Sequence, residues 1–161
     1  MKRRMISTPV GDMLLGVMDG KLCEVRRFEP CEESPTDDDP VLDEAKRQIM
    51  AYLHGARRTF NLPIAMCGSA FDCAVWRMLQ EIPFGGVQTY GQLAAALGKP
   101  GAARAVGGAC SRNPLLLVVP CHRVIAGTGK LTGFAAGLQM KRLLLSLEGQ
   151  EVLGDRVILR R

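Results

Sequence analysis

Two rhythms of apolar and polar positions run along this chain. Up to residue 28 the apolar residues come in short runs separated by turn dipeptides. Met5–Val10 and Met13–Met18 flank Gly11-Asp12, and Lys21–Phe28 follows Asp19-Gly20, a pair suited to a tight hairpin turn. This predicts a small antiparallel sheet. Glu29 to Pro40 is acidic and rich in proline, which predicts a loop. The spacing of Leu42, Ala45, Ile49 and Leu53 then predicts a helix from Val41 to Leu53, stopped by Gly55. Thr59–Ile64 reads as a short strand, and Ala65–Gly68 as a boundary between domains.

Beyond that boundary the rhythm is helical. Ser69 and Asp72 form a capping-box pattern, with Phe71, Val75, Met78, Leu79 and Ile82 on one face. Pro83-Phe84-Gly85-Gly86 ends this helix. Thr89 caps a short helix through Leu97, and Gly98-Lys99-Pro100 breaks it. A third helix runs to about Ser111. Asn113-Pro114 turns the chain into an aliphatic run, read as a short buried strand ending at Pro120-Cys121-His122-Arg123. A glycine-rich loop leads to a last helix using Met140, Leu143, Leu144 and Leu147, and 151–161 reads as one more strand. Two short helices about a tight turn suggest a helix-turn-helix. The fold class is therefore α+β: an N-terminal small α/β domain over 1–66 and a helical domain over 67–161.

Charge sharpens the division. Residues 1–70 hold 10 Lys/Arg and 11 Asp/Glu, a balance of −1, whereas residues 71–161 hold 11 and 5, a balance of +6. The second domain carries the positive field, which attracts polyanions. No apolar run is long enough for a membrane span or a secretory signal, which points to the cytoplasm and no membrane partner. Six cysteines (23, 31, 67, 73, 110 and 121) form no C-x-x-C pair, and there are two histidines. Free thiols and no structural metal are expected.

Cys121 stands out chemically. An aliphatic run ending in Pro-Cys-His-Arg delivers a thiol to a domain edge beside two cations, which would lower its pKa, or beside a histidine base. The helix upstream is unusual in composition: of residues 101–109, seven are Gly or Ala. Each interior glycine costs roughly 1 kcal/mol against alanine, so something is expected to approach closely. The DNA minor groove, about 6 Å wide, is one such partner, with close helix packing inside the protein as the alternative. Arg104 would be the one long side chain on that surface. Tyr90, at a helix start, can donate a proton or hydrogen bond.

These motifs carry a family resemblance. PCHRVI at 120–125, AARAVGGA at 102–109 followed by Asn113-Pro114, TYGQLA at 89–94, FDCAVWRMLQEIPFG at 71–85 and LTGFAAGLQMKRLLLSLEG at 131–149 are similar to the methylated-DNA–protein-cysteine methyltransferases, also called 6-O-alkylguanine-DNA alkyltransferases. The strong match spans about 69–149, with STPVG near 7–11 matching more weakly.

The resemblance implies a ribonuclease-H-like first domain and a winged helix-turn-helix in the second. It implies a monomer that binds duplex DNA containing alkylated guanine, with no cofactor. The alkyl group on the 6-oxygen of guanine, and also on the 4-oxygen of thymine, would pass irreversibly to Cys121. His122 would take the thiol proton through a water and pair with Glu148. Tyr90 would assist the leaving guanine, and Asn113 would hold the turn that shapes the site. Arg104 would fill the gap left by the flipped nucleotide, with Ala103, Gly107, Tyr90 and Arg112 also on the DNA side. Phe134, Ala135 and Val124 would line the base pocket. Here the loop reads Phe134-Ala135-Ala136-Gly137 where many relatives have a tyrosine and paired glycines, which implies a narrower pocket. Two other readings exist: a lesion-binding relative that transfers nothing, which the presence of Cys121 disfavours, and thiol hydrolase or redox chemistry. For Glu148 the competing role is a helix cap or a partner for a surface lysine such as Lys141.

Overall fold

The computed structural model describes residues 1–29 and 33–159. Pro30–Glu32, with Cys31, and Arg160–Arg161 lie outside the described residues, and so do those parts of the acidic loop and of the expected last strand. The chain divides into two compact units, one of Met1–Cys67 with Pro114–Val118 and one of Gly68–Asn113 with Val119–Arg161.

The first unit is a three-stranded antiparallel meander, β1 (Lys2–Thr8), β2 (Gly11–Met18) and β3 (Lys21–Arg27), covered by α1 (Pro40–Leu53). Asp19 and Gly20 both take positive φ, 52° and 74°, as the tight β2–β3 turn demands. The first turn falls at Pro9-Val10, earlier than Gly11-Asp12. Thr8 pairs with Gly11, and proline has no N–H to give to the ladder. Asp39 caps α1 by accepting from Val41 N–H, and Leu42, Ala45, Ile49 and Leu53 are buried as their spacing predicts. Thr59–Ile64 is not a strand. Ile64 makes a single parallel bridge with Leu22. Nor does the run after Pro114 form one. Leu115 makes one bridge with Val25, and Leu117 turns the chain with φ of 70°. This run packs with the first unit through Val25 N–H to Pro114 O (2.8 Å) and Leu116 N–H to Val25 O (3.0 Å).

The second unit holds α2 (Ala70–Gln80), β4 (Gln88–Thr89), α3 (Tyr90–Ala96), α4 (Ala103–Ser111), a one-turn 3-10 helix (Cys121–Arg123), β5 (Val124–Ile125), α5 (Leu138–Leu147) and the ribbon β6 (Val152–Leu153) and β7 (Arg156–Val157). The expected final strand is thus a short hairpin. Ser69 caps α2 through Asp72 N–H, but the Asp72 carboxylate turns to Arg112, so the box is not reciprocal there. The reciprocal capping box belongs to α3, between Thr89 and Gln92. Trp76 is buried between α2 and α4 and donates to Ala109 O at 2.9 Å. A Cβ at Gly68 would lie 2.5 Å from the Trp76 ring, so only glycine fits there. β4 and β5 pair in parallel, which brings Tyr90 at the start of α3 toward the segment after Cys121. No helix among the described residues is long and apolar enough to cross a membrane.

Candidate active site

The site is built around the turn that follows Pro120. Cys121 is 4% exposed, and its N–H donates to Val119 O at 2.8 Å. Asn113 holds this turn from the end of α4. Its N–H donates to Cys110 O (3.2 Å), its Nδ2 donates to Val119 O (2.7 Å), and its side chain hydrogen-bonds the Cys121 thiol. Burial raises the Cys121 pKa, and the Asn113 hydrogen bond and the Lys141 charge only partly offset it. This corrects the expectation that His122 and Arg123 lower the thiol pKa as adjacent cations. Desolvation outweighs the nearby charge, and neither residue supplies it.

His122 is completely buried, and desolvation lowers its pKa despite the Glu148 carboxylate, so the ring is neutral at neutral pH. Its Nε2 lies 2.9 Å from Glu148 Oε2. Arg123 grips the same carboxylate with two bonds, Nε to Oε1 at 2.7 Å and Nη2 to Oε2 at 2.8 Å, and donates from Nη1 to Ile82 O at 2.6 Å. Glu148 is the C-cap of α5, and no part of its side chain is exposed. Its ionic partner is therefore Arg123.

Lys141 is not on the surface. It is fully buried, donating to Val124 O (2.6 Å) and Thr132 O (3.1 Å), and desolvation lowers its pKa to about 8. Its Nζ lies 6.0 Å from the centre of the Tyr90 ring. The inner face of α5 is Met140, Lys141, Leu144 and Leu145, while Leu143 points outward at 46% exposure. Tyr90 is half-buried. Its oxygen accepts from Thr132 Oγ1 at 3.2 Å, and burial chiefly raises its pKa. Cys110, a second buried thiol in the electrostatic reach of Cys121, is pushed up to about 12. Sequence reasoning missed Thr132, the burial of Lys141 and the engagement of Arg123 by Glu148. A signal for two of the buried charges existed: Lys141, Leu144, Leu145 and Glu148 share one helical face at i, i+3, i+4 and i+7.

The family model for the 6-O-methylguanine DNA methyltransferase DNA binding domain matches residues 70–150, and that for the ribonuclease-like domain matches residues 1–66. The chain belongs to this methyltransferase family. A methylated-DNA–protein-cysteine methyltransferase of Methanosarcina acetivorans is 41% identical over 88% of this chain and 94% of the relative, and one of Mycolicibacterium paratuberculosis is 42% identical over 90% of each. The solved Mycobacterium tuberculosis OGT in complex with DNA has a TM-score of 0.83 at 39% identity, covering 92% of both chains.

The other residues matched to this methyltransferase family fall on α4 and on the loop before α5. Arg104 and Ala105 are exposed on α4, and Ala103 and Gly107 are partly so. Nothing inside the unit requires glycine at 107: a Cβ there would meet the Tyr90 ring at 3.7 Å, an ordinary contact. At Gly108 a Cβ would lie 3.1 Å from the Arg112 guanidinium, a tight contact. The Arg112 guanidinium is held by both oxygens of Asp72 at 3.0 and 2.7 Å while its side chain stays 57% exposed. Phe134 is half-buried and Ala135 exposed, whereas Val124 has no exposed surface and offers its carbonyl to Lys141. Among the described residues no group of three or more His, Cys, Asp or Glu could hold a metal ion.

Proposed function

We propose that this protein repairs alkylated duplex DNA by moving an alkyl group from the 6-oxygen of guanine to Cys121 Sγ, once per molecule. The observation that carries the reading is the buried thiol beside a neutral histidine whose Nε2 is already held by Glu148 at 2.9 Å. That bond leaves Nδ1 as the ring nitrogen that takes the thiol proton, directly or through a water. The sulfur then attacks the alkyl carbon, the carbon–oxygen bond breaks, and guanine leaves with a proton from Tyr90. The product is a thioether that water in the site does not cleave, so Cys121 is consumed.

The target base must leave the stack to reach a buried thiol. Arg104 on the small-residue helix α4 takes its place, and Phe134 and Ala135 receive it. Phosphate contacts from the positive second domain, residues 67–161, make binding largely sequence-independent and salt-sensitive. The protein acts as a monomer in the cytoplasm, on the nucleoid.

Incubation with a duplex containing 6-O-methylguanine, followed by peptide mass measurement, tests this. One methyl group per protein on the Cys121 peptide is expected. Cys121→Ala should bind DNA but transfer nothing. Several turnovers per molecule, or a methyl on Cys23 or Cys110 instead, would overturn the reading. Lesion binding by the native protein without any mass gain would favour a non-transferring lesion binder.

A further inference from the structure

Thr132 has no part in the reaction as described, yet it touches Tyr90, which does, and the buried Lys141. It opens the loop that carries Phe134 and Ala135. Its hydroxyl donates to the Tyr90 oxygen at 3.2 Å, and its carbonyl accepts from the buried Lys141 Nζ at 3.1 Å. Lys141 is held from the other side by Val124 O at 2.6 Å, and its charge lies 6.0 Å from the Tyr90 ring centre. One loop residue thus joins α3, α5 and the base-pocket wall.

We propose that Thr132 is a positioning residue for transfer: its hydroxyl orients and polarises the Tyr90 phenol toward the departing guanine, while its carbonyl anchors Lys141 beneath the same loop. This role rests on the transfer reading above. A phenol oxygen that accepts from Thr132 must aim its single hydrogen elsewhere, which keeps that hydrogen available to the departing base. Hydrogen bonds in such a chain strengthen one another in a low-dielectric interior. As the carbon–oxygen bond breaks, negative charge grows on the purine and Tyr90 passes its proton. The oxygen left behind gains negative charge, and the Thr132 hydroxyl and the Lys141 ammonium stabilise it. The Thr132 hydrogen bond also works against the burial that makes Tyr90 a weaker acid.

The test compares two reactions at the same sulfur. Methyl transfer from guanine needs help for the leaving group, whereas alkylation by iodoacetamide expels iodide, which takes no proton. Thr132→Val keeps the shape and removes the hydroxyl. It should slow single-turnover methyl transfer about tenfold, a fraction of the range for general acid catalysis, and leave the iodoacetamide labelling rate of Cys121, read on its peptide, unchanged. Thr132→Ser should restore transfer. Unchanged transfer in Thr132→Val overturns the proposal. So do equal losses in both reactions, which mark a structural role, and failure of serine to restore the rate. A wild-type protein that labels with iodoacetamide but accepts no methyl from DNA overturns the transfer reading itself, and this role with it.

Discussion

Replacing Glu148 with glutamine separates what the carboxylate does for the fold from what it does for the thiol. Its two oxygens receive Arg123 twice (2.7 and 2.8 Å) and His122 Nε2 (2.9 Å), with no side-chain exposure. Glutamine has one acceptor oxygen and one NH2, so it satisfies the Arg123 Nε bond only by turning its NH2 toward Arg123 Nη2, donor against donor. The change also leaves Arg123 buried without its counter-charge. Breaking one partner of a buried pair costs about 3–5 kcal/mol. At roughly 2–4 °C per kcal/mol for a chain of this size, Tm should drop by about 6–20 °C. Glu148 also raises the basicity of His122 against burial, so its loss makes His122 a weaker base. Methyl transfer at neutral pH should fall, and the gap to wild type should narrow as pH rises and solvent ionises the thiol directly. Calorimetry and single-turnover rates from pH 6 to 9 measure both. Adding Arg123→Met should recover part of the stability but not the rate, because the stranded charge is gone while His122 still lacks its carboxylate. An unchanged Tm would refute the buried-pair argument, and a variant profile parallel to wild type across this pH range would remove Glu148 from thiol activation.

Two further outcomes concern α4. Arg104→Ala touches an exposed side chain, so Tm should hold while transfer from duplex DNA slows about tenfold or more, the scale of the few kcal/mol that unstacking costs; reaction with free benzylguanine should be nearly unaffected, and equal losses on both substrates would return Arg104 to a role in the fold. Gly107→Ala should stabilise the protein by up to about 1 kcal/mol, because its Cβ would meet only an ordinary contact with Tyr90, yet weaken duplex binding in a titration; binding as tight as wild type would mean that the small-residue face is not a DNA surface.

The parts of the fold that local patterning controls were legible in the sequence. Asp19-Gly20 placed the second hairpin turn, and the 3.6-residue spacing of Leu42, Ala45, Ile49 and Leu53 placed α1. Thr89 marked the start of α3. Misreadings arose where tertiary context decides. The apolar run from Leu115 looks like a strand, but Leu117 adopts a left-handed φ and only Leu115 finds a bridging partner. Pro9 moved the first turn because it removes a ladder donor. In the site, the adjacency of Cys121, His122 and Arg123 suggested two cations beside a thiol. Chain neighbours on a 3-10 turn point in different directions, and Arg123 reaches Glu148, 25 residues away in sequence.

Charge accounting across the buried residues explains how a thiol with a raised pKa can still serve as a nucleophile. Arg123 and Glu148 cancel, His122 is neutral, and Lys141, with a pKa of about 8, remains cationic at neutral pH. Of these named groups, Lys141 alone leaves an excess charge, and it is positive. It is held in place by neutral carbonyls, Val124 O and Thr132 O, which solvate it without discharging it. While Cys121 is a thiol the cluster carries that unbalanced cation. Moving the Cys121 proton to His122 leaves the net charge of the cluster unchanged, but it creates a thiolate whose negative charge Lys141 stabilises. Burial keeps the resting sulfur protonated, which slows its reaction with adventitious electrophiles, and the Lys141 charge lowers the cost of ionisation when His122 takes the proton. A permanently ionised cysteine at the surface would react with electrophiles whether or not DNA were bound.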